Sequence, residues 1–277
     1  MTGADPSPSG VQAIIAHYNQ YDEAERLKND IGPLELVRTQ ELLARYLPPA
    51  PEVVLDVGGA TGVYSRWLAG LGYQVHLVDI VPRHIEQAQA AQTLDSPQLA
   101  SLRVGDARQL DFGDGFADAI IMHGPLYHFS TRADRLCAIT EAQRVLRPGG
   151  RLLAFAITRY AGLIYGLLRG YVFDPAYRRM ISNEVRTGRR ENPPDWAFTF
   201  PNAFFHHPDE LKAELEESGL IHEGTLGILG PAWMAPDLDA SWQDPAQRAA
   251  ILEIARLTEH EPVLGPRLMA AARKPEQ

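Results

Sequence analysis

Apolar positions along this chain change their period several times, and each change predicts an element. Residues 11–47 follow a helical pattern, interrupted at Ile31-Gly32-Pro33. Leu34, Leu36, Val37, Leu42, Leu43 and Leu47 fall on roughly one helical face, and Pro48, Pro49 and Pro51 stop the pattern. Residues 53–57 form a short, almost continuous apolar run, as expected for a parallel-sheet strand covered on both faces. A glycine-rich turn follows, then a helix over residues 63–71. Further strands are predicted at 74–79, 102–104, 117–122 and 151–157, with helices at 83–91 and 132–146. Arg147-Pro148-Gly149-Gly150 reads as a stop with glycine past the helix end. Strands alternating with helices predict a doubly wound α/β sheet.

The regularity breaks after Thr158. Residues 160–202 are aromatic and rich in arginine. A helix at 208–218 opens with His207-Pro208-Asp209-Glu210, which puts acid in its first turn. A sixth strand is expected at 221–229, a helix at 244–259 and a last strand at 267–273. The chain therefore divides into a flexible tail (1–10), N-terminal cap helices (11–50), a core (51–158), a cap insertion (159–206) and a C-terminal part of the core sheet (207–277). No internal repeat is present.

Charge and cysteine content narrow the function. A net charge of −9 repels phosphate backbones, which disfavours a nucleic-acid partner. The lone Cys137 forms no internal disulfide and rules out a cysteine-rich zinc site. No two histidines have the spacing of a helix-borne metal site, so no metal is expected. The longest apolar stretch, 152–168, contains Arg159 and falls short of the roughly 20 residues a spanning helix needs. The first ten residues are polar and lack a signal-peptide pattern, so a cytoplasmic chain with no membrane partner is expected.

The stretch LDVGGATGVY carries the most chemistry. Gly58, Gly59 and Gly62 permit a tight turn and close approach of a ligand to the backbone. Asp56 ends the first strand and can accept a hydrogen bond from a cationic group. Asp79 ends the second strand, 23 residues on, where a carboxylate can pair with both ribose hydroxyls. The nicotinamide pattern G-x-G-x-x-G fails from either Gly58 or Gly59, which disfavours a dehydrogenase.

This run resembles motif I of the class I S-adenosylmethionine-dependent methyltransferases, with Ala60 in place of the middle glycine. Asp79-Ile80 is similar to the acidic position that holds the ribose in that family. Gly105-Asp106-Ala107-Arg108 resembles the loop whose carboxylate meets the adenine amino group. Residues 118–128, ending His123-Gly124-Pro125-Leu126-Tyr127-His128, resemble the motif IV strand and active-site loop, and Leu146-Arg147-Pro148-Gly149-Gly150 is a family-like signature. The subtype looks most like the small-molecule "type 11" enzymes, which include quinone-ring methyltransferases. The resemblance implies a Rossmann-like sheet of seven strands, mostly parallel with an antiparallel last strand, and a helical cap. It also implies S-adenosylmethionine as cofactor, S-adenosylhomocysteine as product, and Asp56, Gly58, Gly59, Gly62, Asp79, Ile80, Asp106, Ala107, His123 and Gly124 as cofactor-binding positions.

Methyl transfer from a sulfonium is an in-line displacement that depends on placement and exclusion of water. A base is needed only where the nucleophile carries a proton. His128, with an imidazole that ordinarily titrates near neutrality, is the candidate base, and Tyr127 is a second candidate. Tyr18, Tyr21, Arg26 and Arg38 are placed to close over the cofactor, either arginine pairing with its carboxylate. Tyr165, Phe205 and Trp233, with Tyr171, Phe173, Trp196, Phe198 and Phe204, suggest an apolar or aromatic acceptor pocket, and His206 and His207, just before a helix, are candidates to face the same mouth. Residues 159–190 hold seven arginines against Asp174 and Glu184, which would attract an acidic substrate or partner. The expected partner is a small-molecule methyl acceptor presenting oxygen, nitrogen or carbon; the oligomeric state is open. The alternatives are a macromolecular (RNA or protein) methyltransferase and a non-catalytic S-adenosylmethionine-binding protein of the same fold.

Overall fold

The computed structural model describes residues 8–20, 23–191, 193, 194, 196 and 202–276. Three helical segments come first: α1 (Pro8–Asn19), α2 (Glu23–Arg26) and α3 (Gly32–Tyr46). The alternating core follows as β1 (Val53–Val57), α4 (Val63–Gly70), β2 (Gln74–Asp79), α5 (Pro82–Ala90), β3 (Ser101–Val104), β4 (Ala117–Met122), α6 (Pro125–His128), α7 (Arg132–Val145) and β5 (Leu146–Ile157). An insertion then contributes α8 (Ala161–Leu168), α9 (Pro175–Thr187), β6 (Arg189–Arg190) and β7 (Ala203–Phe204). The chain closes with α10 (Pro208–Glu217), β8 (Ile221–Gly227), α11 (Leu238–Gln243), α12 (Pro245–Leu257) and β9 (Arg267–Arg273).

Seven strands form one sheet in the order β3-β2-β1-β4-β5-β9-β8, and β6 pairs with β7 separately. Pairing is parallel from β3 through β5, whereas β9 runs antiparallel to both β5 and β8. This is the expected Rossmann-like sheet with an antiparallel last strand. Alternate residues feed two cores. Val54, Ala119, Ile121, Leu153 and Phe155 face α3, α4 and α12, while Leu55, Ile120, Met122, Leu152 and Ala154 face α7 and α10. Period-two alternation of apolar residues on both faces is what a strand buried on both sides requires.

Two expectations need correction. α1 starts at Pro8, so the tail predicted over 1–10 is helical from that point. Arg147-Pro148-Gly149-Gly150 lies within β5 rather than closing α7. The α7 backbone turns extended at Leu146, with ψ 143 at its start and 137 at its end cap, and the β4–β5 register slips between the Ala117 and Ala119 pairings. Gly149 takes φ +77 within that bulge. The helix over 208–217 carries the expected acid in its first turn, where Glu210 Oε2 accepts from the His207 N–H at 3.0 Å and His207 Nδ1 accepts from the Asp209 N–H at 3.4 Å.

Candidate functional site

The carboxyl ends of β1, β2 and β4 converge on the glycine turn. A Cβ on Gly58 would lie 2.6 Å from Pro125 Cδ and 2.8 Å from the His123 carbonyl oxygen. Only glycine therefore lets the turn press against the loop after β4. Gly62 takes φ +75 as the cap of α4. Ala60 itself adopts φ +50, a left-handed conformation that glycine would hold without strain. Its N–H donates to Asp79 Oδ2 at 2.9 Å, so the turn and the end of β2 hold each other.

A cavity of ≈ 90 Å³ opens over this turn. Gly58, Gly59, Asp79, Ile80, Asp106, Ala107, His123 and Gly124 all line it, as do Tyr127 and His128. Asp79 is nearly saturated by the protein. Val81 N–H donates to Oδ1 at 2.9 Å and His84 Nδ1 lies 3.1 Å from the same oxygen. With Ala60 on Oδ2, one acceptor site of the carboxylate remains. His84 lines the cavity, is buried, and its Nε2 has no hydrogen-bond partner. An Nδ1–H tautomer donating to Asp79 leaves Nε2 as a bare acceptor. Asp106 is gripped by Arg108, at 2.6 Å from Nη2 and 3.1 Å from Nε, and Arg108 also reaches Asp134 at 2.7 Å.

Asp56 does not reach the cavity. Its carboxylate lies beneath the turn, where Ser65 Oγ donates to Oδ2 at 2.6 Å. A Cβ on Gly59 would come within 2.5 Å of that oxygen. Burial, partly offset by the Ser65 hydrogen bond, raises its pKa to about 6. It braces the turn from below.

His128 lies at the cavity as expected, but not as a group titrating near neutrality. Burial pushes its imidazole down to about 3, so the ring is neutral across the ordinary pH range. Its Nε2 lies 3.0 Å from the Tyr18 hydroxyl, which belongs to α1. Burial also raises the Tyr18 phenol well above 10, so the oxygen stays protonated and the pair is uncharged. Tyr127 is likewise raised by burial.

A buried ion cluster sits beside this pair. Glu35, in the first turn of α3, accepts from Arg26 Nη1 at 2.9 Å and lies 3.0 Å from Arg267 Nε and 3.7 Å from His123 Nε2. Burial alone would raise Glu35; Arg26 first, then Arg267 and His123, instead lower it to about 2. His123 is pushed down to about 3 by burial and stacks on Phe155 with ring centres 4.3 Å apart. Local sequence gave Glu35 no meaning beyond complementing a helix end. Its partners come from α2, β4's end and β9, and no local pattern joins them.

A second cavity of ≈ 890 Å³ lies against the first. Tyr18, Glu23, Arg26 and Tyr127 line both. The remaining wall carries Tyr165, Tyr171, Tyr177, Trp196, Phe205 and Trp233. Tyr171 packs edge-on to Tyr177 and Trp196 at 5.6 and 5.0 Å, and Tyr165 lies nearly parallel to Trp233 at 6.5 Å. Arg190 sits over Phe205 at 4.4 Å while paired with buried Glu184.

Other expected site residues lie elsewhere. Arg38 is fully buried, pairs with Glu41, donates to Glu259 at 2.7 Å, and reaches the Ile228 carbonyl at 3.3 Å. It fastens α3 to the end of β8 instead of meeting a cofactor carboxylate. His206 is buried against Glu214 at 3.2 Å, and Glu214 is held by Arg135 at 2.7 Å. His207 caps α10. Neither lines either of the two cavities: His206 bridges in parallel to Thr158 and is buried, and His207 is partly exposed at the helix start. Tyr21 and Phe198 lie outside the described residues. Among the described residues, no three His, Cys, Asp or Glu side chains group as metal ligands, and no helix is long and apolar enough to cross a membrane.

Comparison with known proteins agrees with this geometry. Residues 55–154 match the family model described as a methyltransferase domain, Methyltransf_11. The chain is 33% identical over 175 residues to the demethylmenaquinone methyltransferase of Tropheryma whipplei (strain Twist), covering 61% of this chain and 66% of that protein. It is 28% identical over 143 residues to the ubiquinone/menaquinone biosynthesis C-methyltransferase UbiE of Caulobacter vibrioides, covering 48% of this chain and 56% of that one. The chain thus spans just under two thirds of the first relative and a little over half of the second. Among solved structures, the 1,6-didemethyltoxoflavin-N1-methyltransferase of Burkholderia thailandensis, with its substrate and S-adenosylhomocysteine bound, superposes with TM-score 0.57 at 14% identity, over 99% of this chain and 93% of that one. At that identity the likeness speaks for the fold alone.

Proposed function

We propose, on the match to a methyltransferase domain and the two methyltransferase relatives, that this chain is a class I S-adenosylmethionine-dependent methyltransferase and that it methylates a small aromatic molecule at oxygen, nitrogen or carbon. The carrying observation is the shared wall: Tyr18, Glu23, Arg26 and Tyr127 separate a cavity built on the glycine turn from one built of aromatic rings. Such a partition brings two ligands together and keeps their remaining parts apart.

The residues present suit the cofactor. The glycine turn allows close backbone approach, and the remaining site on Asp79 with the orphan His84 Nε2 offers two acceptors for ribose hydroxyls. Asp106 and Ala107 line the same cavity, which supports the adenine contact that the family resemblance implies. When bound, S-adenosylmethionine supplies a methyl group on a positively charged sulfur, whose carbon–sulfur bond breaks as the bond to the acceptor forms. The protein's part is to align and to dry the site. Neutral His128 and Tyr18 close the cavity from the α1 side without adding charge. With its pKa near 3, His128 is a weak base at neutral pH, so the reading favours an acceptor that needs little proton removal.

Aromatic walls support a planar acceptor, and the names of the two curated relatives point to quinone precursors as the first compounds to try. One cysteine needs no oxidising compartment, which supports a cytoplasmic setting. The test is S-adenosylhomocysteine release from purified protein, donor and a panel of small phenols, amines and quinone precursors. Acceptor-dependent product is expected. Donor binding with no turnover on any acceptor would favour a non-catalytic binding role instead.

A further inference from the structure

The mouth of the second cavity carries an apolar collar. Of fourteen exposed large hydrophobic side chains among the described residues, Tyr165, Leu168, Trp196 and Met234 line this cavity, and Leu167 and Phe173 lie within three residues of the lining Leu168 and Tyr171, respectively, along the chain. Leu167 is 60% and Phe173 81% exposed, and neither lines the cavity. Phe173 closes over Gly170, where a Cβ would lie 3.7 Å from its ring. Apolar exposure concentrated at one place marks an interaction site, whereas scattered single residues do not.

The charges around the collar name the partner. Most arginines of this chain lie within 4.0 Å of a carboxylate. Among the described residues eight do not, and five of those, Arg169, Arg178, Arg179, Arg186 and Arg189, fall in the α8–β6 segment and are exposed. Arg178 is fixed next to the collar by donating to the Val172 and Phe173 carbonyls at 2.7 and 3.0 Å. Uncompensated arginines are unexpected in a chain of net charge −9 unless they meet an anion. Leu, Phe and Trp flanked by arginine is the composition of a peripheral membrane face. Docking of a second copy through this face would bring like arginines together across a two-fold axis. Asp30, Asp237 and Asp239 also line the cavity, so the arginine-bearing α8–α9 segment is the part suited to an anionic surface.

We propose that the collar docks on an anionic lipid surface, from which an apolar acceptor enters the second cavity. The entry step rests on the methyl-transfer reading; the docking step does not. The sequence expectation of no membrane partner came from the lack of a spanning segment, and surface docking is a separate property.

The experiment is sedimentation of the full chain with vesicles of phosphatidylglycerol and phosphatidylcholine, and with phosphatidylcholine alone, at two salt concentrations. S-adenosylmethionine affinity is measured on each sample. Binding to the anionic vesicles is expected, at least tenfold weaker with phosphatidylcholine alone and weaker at high salt. Leu167→Asp with Phe173→Asp, or Arg178→Glu with Arg179→Glu, should reduce vesicle binding about tenfold or more and leave donor affinity unchanged. Unchanged donor affinity shows that the variants fold. No binding to anionic vesicles, or equal binding by the variants, overturns the proposal. A concentration-dependent dimer that the Leu167/Phe173 variant breaks, with no vesicle binding, overturns it in favour of a second copy. Loss of donor binding by the wild type would instead count against the methyl-transfer reading.

Discussion

Replacing Glu35 with glutamine tests the buried cluster behind the two cavities. Glutamine keeps the shape and one acceptor oxygen, so no void is made, but it removes the charge between Arg26 and Arg267. In the folded protein Glu35 titrates at about 2 instead of its ordinary 4.5. At about 1.4 kcal/mol per unit, that difference corresponds to roughly 3 kcal/mol of folded-state preference for the charged form. The loss also leaves two partly buried guanidinium groups with one partner fewer, although Arg26 keeps Glu23, a cost of the same sign. The folded pKa is depressed, so the stabilisation is fully present above pH 4.5 and is lost as pH falls toward 2. Urea unfolding of wild type and Glu35→Gln should therefore differ by roughly 3 kcal/mol at pH 7, with the gap narrowing below pH 4.5. A difference under about 0.5 kcal/mol at pH 7, or a gap that does not narrow in acid, would refute the reasoning.

Three other outcomes follow from the site. Asp79→Ala removes the acceptor that holds Ala60, Val81 and His84, and should weaken S-adenosylmethionine binding by about 1.5–3 kcal/mol, read by titration calorimetry; unchanged affinity would remove the ribose assignment. Ala60→Gly relieves the φ +50 conformation, worth about 1–2 kcal/mol, against a chain-entropy cost of about 0.5–1 kcal/mol. Thermal unfolding should show that variant equal to or up to about 1.5 kcal/mol more stable than wild type, and a clear loss would contradict the strain reading. Because His128 titrates near 3, kcat/KM should show no limb from it between pH 5 and 8. A limb near pH 6.5 that disappears in His128→Asn would show that the ring works as a neutral-pH base.

Much of the fold was legible because its signals are local. Val53–Val57 is apolar on both faces, the following turn is rich in glycine, and Asp79 ends β2 and Asp106 follows β3, strand ends that the sheet's topology carries to one place. His123, Gly124 and Tyr127 follow β4 directly, so strand order alone put them at the cavity. The misplaced residues have long-range causes. Arg38 meets Glu259, 221 positions away, and His206 meets a Glu214–Arg135 pair that only folding assembles. An arginine or histidine reads alike in sequence whether it faces a ligand or a buried carboxylate. His84 was overlooked for a related reason. A histidine in the first turns of a helix looks like surface, and only its bond to Asp79 and its orphan Nε2 reveal it.

The central claim is that the cavity over the glycine turn holds the methyl donor. Titration calorimetry of the wild-type chain with S-adenosylmethionine, S-adenosylhomocysteine and NAD tests it most directly. Saturable binding of both sulfur ligands at one site, and none of NAD, is the predicted result. Failure of both sulfur ligands to bind, or NAD binding as tightly as either, would contradict it.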